Sequence, residues 1–225
     1  MDSIKDKRVI VTGAKGALGK ALCELLKSQG AVTIGVDISA PDGSPELDQY
    51  HQLDLLDRAA TVATLSALTD IDALVNVAGG FAMGDTSFDG ASQQWQQMFR
   101  INVETMRHAT LAVVPAMCQR GSGAIVNIGA LAALAGQADM SAYCASKAAV
   151  LRLTESLSEE VKHRGINVNA VLPSIIDTAA NRAAMPAADF SAWVAPSALA
   201  GVISFLISDA AGALHGALIP VKGLS

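Results

Sequence analysis

Tyr143 and Lys147 stand four residues apart in the run Ser141-Ala142-Tyr143-Cys144-Ala145-Ser146-Lys147. On a helix that spacing puts both side chains on one face. A lysine cation close to a phenol favours the phenolate and lowers the tyrosine pKa, so the hydroxyl can exchange a proton nearer neutral pH. Taken alone, the pair would more often be explained by a solvated helix face. The upstream residues decide between the two readings.

Thr12-Gly13-Ala14-Lys15-Gly16-Ala17-Leu18-Gly19 follows the β-branched run Arg8-Val9-Ile10-Val11 and opens an amphipathic run. In that context a glycine turn lets backbone amides and a helix N-terminus approach a pyrophosphate, whereas the bland alternative is a turn that only closes a strand-helix junction. Asp37 ends the second β-branched run, roughly 20 residues further on, where a carboxylate can accept hydrogen bonds from adenosine ribose hydroxyls. An acid there repels a 2′-phosphate, so NAD is expected as the cofactor, with NADH preferred over NADPH; Lys15 in the turn would offset part of that repulsion. Asp54 and Leu55 follow the third strand, placed to meet an adenine amino group. Asn76-Val77-Ala78-Gly79-Gly80 leaves the fourth with small residues that permit close approach. Each has an ordinary loop explanation, and their weight comes from recurring at successive strand ends.

The elements that must position these residues follow from periodicity. Short β-branched runs alternate with longer amphipathic ones, which implies parallel βαβ units. Continuing the pattern gives a long helix over 92–119, a strand Gly123-Ala124-Ile125-Val126-Asn127-Ile128, a helix over 141–163 with Ser141 as its N-cap, and a strand over 166–173. A helix over 196–208 and a last strand within 213–221 complete it. The expected fold is α/β: a Rossmann-type, doubly wound, mostly parallel seven-stranded sheet with helices on both faces, in one domain spanning 1–225. The segment 174–195, with Pro186 and Trp193, lies beyond the carboxyl end of a strand, where open parallel sheets bind ligands, and is expected to form a substrate lid. The loop at 39–45 reads as plain surface.

Composition narrows the function classes. The chain is 51% hydrophobic, 16% charged and 4% aromatic over 225 residues, which suits one sizeable core and excludes intrinsic disorder. No uninterrupted apolar stretch is long enough to span a bilayer, and the segment Met1-Asp2-Ser3-Ile4-Lys5-Asp6-Lys7 lacks a signal-peptide core, so a cytoplasmic location is expected. A net charge of −5 without a basic block gives no footprint for nucleic acid or an anionic membrane. The partner is therefore expected to be a small-molecule substrate. Cys23, Cys118 and Cys144 show neither disulfide nor zinc spacing, and the four histidines are dispersed, so no metal is expected. Trp95 and Phe99, four apart, read as packing residues. Helices with apolar and small residues on more than one face suggest self-association.

Taken together, the TGAKGALG turn, Asn76-Val77-Ala78-Gly79, Asn102 in Ile101-Asn102-Val103, the Tyr-Cys-Ala-Ser-Lys box and Leu172-Pro173 with Thr178 resemble the short-chain dehydrogenase/reductase family over nearly the whole chain. The resemblance implies hydride transfer with Tyr143 as acid/base and Lys147 binding the nicotinamide ribose, in a homodimer or homotetramer. Asn102 would hold a water in a proton relay, and Pro173, Thr178 and the backbone near Ile176 would face the nicotinamide carboxamide. Four positions depart from the family pattern. Ala17 and Gly16 exchange the usual order in the turn, and Ser174 follows Pro173 in place of glycine. Ala130 occupies the position, thirteen residues before the tyrosine, where the family carries a serine. Losing one preorganised donor to a developing oxyanion costs about 100- to 1,000-fold in rate.

One branch that lacks this serine, the dihydropteridine reductases, is similar to the chain at Val77 to Ala82, at Gly129-Ala130 with Ala132-Ala133-Leu134, and at Asp177-Thr178 through Trp193. This resemblance implies reduction of a quinonoid dihydropterin by NADH, with Ala130, Phe81 and Trp193 at the substrate. Phe81 stands where that branch has tryptophan. A ketone/alcohol dehydrogenase with a replacement donor, and a non-catalytic dinucleotide-binding module, are the alternatives.

Overall fold

The computed structural model describes residues 4–84, 86–88 and 92–224. Its framework is a seven-stranded sheet in the order β3-β2-β1-β4-β5-β6-β7, comprising β1 (Arg8–Thr12), β2 (Val32–Asp37), β3 (Gln49–Gln52), β4 (Ala73–Asn76), β5 (Gly123–Ile128), β6 (Ile166–Pro173) and β7 (Leu218–Val221). Every pairing is parallel. The chain order reverses between β1 and β4, so the carboxyl ends of those two strands border the crevice in which such sheets hold ligands. The expected doubly wound architecture is thus borne out.

The central strands are apolar because both faces are covered. Val9 and Val11 of β1 point into a core shared with Leu22 and Leu26 of α1 (Ala17–Ser28) and Leu199 and Ile203 of α7 (Pro196–Leu206). Ile10, between them, points to the other face. There it meets Leu65 of α2 (Arg58–Ser66) and Ala109, Val113 and Met117 of α4 (Thr105–Arg120). Ile10 is fully buried, and truncating it to alanine should cost about 2–5 kcal/mol. Asp57 caps α2 by accepting from the Ala60 amide at 2.9 Å.

Two boundaries differ from the expectation. The helix expected over 92–119 is two helices, α3 (Ser92–Phe99) and α4, joined by a π-helical turn over Arg100–Glu104. There the Thr105 amide donates to the Arg100 carbonyl, five residues back, and the Thr105 hydroxyl takes up the Ile101 carbonyl at 2.7 Å. The turn is wedged against α5 (Ser141–Val161) by Val103 and Met106 packing on Val150. Secondly, Ser141 is not the N-cap of α5. The cap is Met140, whose carbonyl accepts from the Cys144 amide at 2.8 Å, so the helix begins one residue earlier than a serine cap would allow. Among the described residues no helix is long and apolar enough to cross a membrane.

Candidate active site

The glycine turn carries β1 into α1. Gly13 has φ +65°, and a Cβ there would lie 2.9 Å from the Ala78 amide nitrogen, so the turn is pressed against the end of β4. At Gly19 a Cβ would lie 2.2 Å from the Gly13 carbonyl oxygen, which fixes glycine there through the packing of helix on turn. Gly16 is the N-cap of α1 and offers no side chain to its free amides, and no acidic residue occupies the first turn. The amides of Ala17, Leu18 and Gly19 are thus left to an anionic ligand, which is what a dinucleotide pyrophosphate requires. Thr12 braces the junction by accepting from the Ala78 amide at 3.1 Å.

Asp37, at the end of β2, accepts from the Lys15 amide at 3.0 Å and from the Ser39 amide at 3.0 Å. Its carboxylate is thereby locked beside the glycine turn with acceptor capacity remaining on each oxygen. The residues fit a dinucleotide. Asp54 is exposed and accepts from the Leu56 amide at 2.9 Å, and Leu55 is buried, its carbonyl bonded to His108 Nδ1 at 2.8 Å. Asn76 plays a different part from the one its position suggested. Its side chain is buried and donates to Asn127 Oδ1 at 2.8 Å, and Asn127 in turn donates to Thr154 at 2.9 Å. This strut ties β4, β5 and α5 together at the carboxyl edge of the sheet, through the Asn76 Nδ2 donor, while its buried Oδ1 has no hydrogen-bond partner among the described residues.

Tyr143 and Lys147 lie on one face of α5 as their spacing requires. Lys147 is 7% exposed, and its Nζ donates to the Ile128 carbonyl at the end of β5, at 2.8 Å. A Cβ on Gly79 would lie 3.5 Å from Lys147 Nζ and 2.7 Å from Asn102 Oδ1, so the ammonium and the amide converge beneath a residue that has to be glycine. Burial lowers the Lys147 pKa to about 8. The expected lowering of the tyrosine pKa is reversed in this structure: burial, with a smaller contribution from neighbouring Cys144, pushes Tyr143 up to about 12. Desolvation outweighs the lysine because the ammonium is itself buried and turned to the Ile128 carbonyl.

Asn102 sits in the π turn, 2% exposed. Its Oδ1 accepts from the Gly80 amide at 2.9 Å, and its Nδ2 donates to Ser146 Oγ at 3.1 Å. Ser146 Oγ donates to the Tyr143 carbonyl at 2.8 Å. The side chain read as a water holder therefore links the loop after β4 to the helix that carries Tyr143. Ser146, read as a packing residue, is the middle of that link; its three-residue offset from Tyr143 was the available signal.

On the substrate side, the Phe81 ring is 54% exposed and stands edge-on to Tyr143, with centroids 4.9 Å apart and planes at 82°. Ala130, two residues beyond β5, is 5% exposed and carries a methyl group. A cavity of about 980 Å³ opens beside this site, between Trp95, the 132–138 turn and the outer face of α5 at Ser141, Cys144 and Ala148. Tyr143 and Lys147 do not line it.

Segment 174–195 is folded rather than loose. Its ends are clasped by Asp177 N to Val194 O at 2.8 Å and Val194 N to Ile175 O at 2.9 Å, around a parallel bridge of Ile176 with Val194. Thr178 caps the short helix α6 (Ala179–Ala184) by accepting from the Asn181 amide at 3.1 Å, and Asn181 Nδ2 donates to the Ile176 carbonyl at 2.8 Å. Arg182 grips Asp177 at 2.5 and 2.7 Å and lies over the Phe190 ring. Trp193 is 8% exposed and packs on Phe190 at 4.8 Å. It anchors the segment, so its assignment to the substrate gives way to a structural role. Pro173 is buried at the end of β6, and Ser174 donates its hydroxyl to the Lys222 carbonyl at 2.6 Å. The described histidines, cysteines and acids form no metal-holding group of three.

Residues 7–189 match the family model for short chain dehydrogenase. The 3-oxoacyl-[acyl-carrier-protein] reductase of Vibrio cholerae is 29% identical over 242 residues, covering 98% of both chains. The D-xylose 1-dehydrogenase of Caulobacter vibrioides is 30% identical over 232 residues, covering 95% of this chain and 93% of that one. Among solved structures, a protein assigned as 2-deoxy-D-gluconate 3-dehydrogenase from Agrobacterium tumefaciens, with bound NADP, superposes with a TM-score of 0.90 at 29% identity, covering 98% of this chain and 96% of that one. These relatives are enzymes, which sets aside the reading as a non-catalytic module. With a glycine turn, an uncapped helix N-terminus and a Tyr143–Lys147 pair meeting at the β1/β4 crevice, this chain belongs to the short-chain dehydrogenase family of NAD(P)-dependent oxidoreductases.

Proposed function

We propose that the protein is an NADH-dependent reductase of a flat, conjugated ring, with a quinonoid dihydropterin as the substrate. Ala130 carries this reading. The resemblance of the sequence motifs puts this buried residue in the family's serine position, and on that reading the substrate accepts hydride without that polarising donor. An electron-poor C=N system needs less polarisation than a ketone. The similarity of Asp177 through Trp193 to the dihydropteridine reductases points the same way, and the exposed Phe81 ring beside Tyr143 offers an aromatic surface to a planar substrate.

When bound, the dinucleotide supplies the hydride. The amides at the start of α1 hold the pyrophosphate, and Asp37 accepts from the adenosine ribose. Lys147 keeps a cation under Gly79, Asn102 and Ser146 hold α5 against the loop after β4, and the Tyr143 hydroxyl gives its proton to the ring nitrogen. Phe81 shields that transfer from water. NADH oxidation should depend on quinonoid dihydropterin and collapse in Tyr143→Phe; absence of turnover with that substrate removes the pterin assignment.

A second reading, a ketone/alcohol dehydrogenase, is favoured by the activities in the names of the V. cholerae and C. vibrioides relatives. Ala130→Ser separates the two, because a large gain in carbonyl reduction would reveal a site organised for a ketone. Association into a homodimer or homotetramer is proposed on the exposed apolar residues of the helices, such as Leu111 of α4, and is read by analytical ultracentrifugation.

A further inference from the structure

Lys15 is the cation nearest the Asp37 carboxylate along the glycine turn, and its side chain does not project into the crevice as a free charge. Nζ forms an ion pair with Asp42 and donates to Ser44 Oγ at 3.0 Å. It also lies 5.0 Å from the centre of the Tyr50 ring. The Lys15 side chain is only 15% exposed. The loop that holds it is itself fixed: Tyr50 OH donates to the Ser39 carbonyl at 2.5 Å, Ser39 N donates to Asp37, and Ser44 closes a turn on Asp42 through N at 3.1 Å and Oγ at 2.5 Å. The hydrogen bonds from Lys15 and Ser44 hold the Asp42 carboxyl down to about 2, so it is an anion at any physiological pH.

The consequence concerns the choice between two dinucleotides that differ by one phosphate. Discrimination against the 2′-phosphate needs an acid beside the ribose and no cation free to pair with the phosphate. Asp37 supplies the first condition, while Lys15 on its own would defeat the second. We propose that Asp42 is a specificity-determining residue acting through Lys15: by sequestering the Lys15 ammonium with Ser44 and the Tyr50 ring, it denies a 2′-phosphate its counter-charge and makes the site select NADH. A 2′-phosphate could engage Lys15 only by displacing the Asp42 carboxylate while facing Asp37. The proposal deepens the NADH preference stated above and rests on it.

The test measures binding, by calorimetric titration of NADH, NADPH and adenosine 2′,5′-bisphosphate into the intact wild-type protein, Asp42→Asn, Lys15→Met and the double variant. Asparagine keeps an acceptor for the Ser44 amide, so the loop turn survives while the ion pair is lost. In Asp42→Asn the ratio of NADPH to NADH affinity should rise about tenfold, as expected for one regained charge-assisted hydrogen bond to phosphate. The bisphosphate should tighten in parallel, and the gain should vanish in the double variant. An unchanged ratio, or a gain that persists without Lys15, overturns the proposal while leaving the cofactor reading intact. Failure of the wild type to bind either dinucleotide would instead sink the cofactor reading, and the proposal with it.

Discussion

The Phe81 ring meets Tyr143 edge to face at 4.9 Å while leaving 54% of its own surface to solvent. Such a pair contributes about 0.5–1.5 kcal/mol beyond burial. Phe81→Ala should therefore cost about 0.5–1.5 kcal/mol of global stability, and removal of the exposed ring should lower kcat/KM for a planar substrate by about two- to tenfold; Phe81→Trp should restore both. Steady-state kinetics on a pterin and on a small ketone would show whether the loss is confined to the flat ring.

Tyr143→Phe removes the hydroxyl and keeps the ring that packs on Phe81. General acid catalysis contributes about 100- to 10,000-fold, and kcat should fall by that factor. NADH affinity, followed by fluorescence titration, should move far less, and retention of activity would exclude Tyr143 as the proton donor.

Stability should depend on pH through the buried Lys147 and Tyr143. Lys147 has a folded pKa near 8, below its unfolded value of 10.5, so the folded state releases its proton first. Its burial penalty is then full below pH 8 and relieved as pH rises toward 10.5. Each unit is worth about 1.4 kcal/mol, so wild type should gain about 2 kcal/mol relative to Lys147→Met between about pH 7.5 and about pH 9.5 in urea unfolding. Tyr143 works in the opposite sense: its pKa is raised from 10 to about 12, so stability falls with rising pH within that interval.

Ser146→Ala should cost about 1–3 kcal/mol, because it strands the buried Asn102 amide that now donates to the hydroxyl. The same variant should shift the alkaline limb of the kcat profile, where Tyr143 loses the proton it donates, if the link through Asn102 sets the position of Tyr143, and a purely structural role would leave that profile in place. Ser146→Thr, which keeps the hydroxyl, tests rescue.

The parts of this molecule that were legible in the sequence are those governed by local pattern. Val9, Ile10 and Val11 are apolar without interruption because both faces of β1 are covered, so the strand stood out and the glycine turn behind it acquired a meaning. Tyr143 and Lys147 follow from helical spacing. What escaped depends on tertiary partners. The π turn at Asn102 inserts one residue into a helix whose polarity pattern runs on through it. Lys15 looked like a free cation because Asp42, Ser44 and Tyr50 reach it only when the loop after β2 folds back. Asn76 looked like a ligand because nothing near it in sequence announces Asn127 and Thr154. The Tyr143 pKa followed desolvation, which the spacing to Lys147 does not encode.

A π turn is an α-helix with one residue too many. Delete a single residue between Arg100 and Glu104 and the helix from 92 to 120 could close into an unbroken α-helix, with every side chain on one side of the deletion rotated by about 100° relative to the other. Asn102 would then leave Gly80 and Ser146 together. The Arg100–Glu104 turn therefore acts as a length gauge: even with Asn102 and Val103 kept, changing the number of residues in it would disconnect the floor of the crevice from the helix above it.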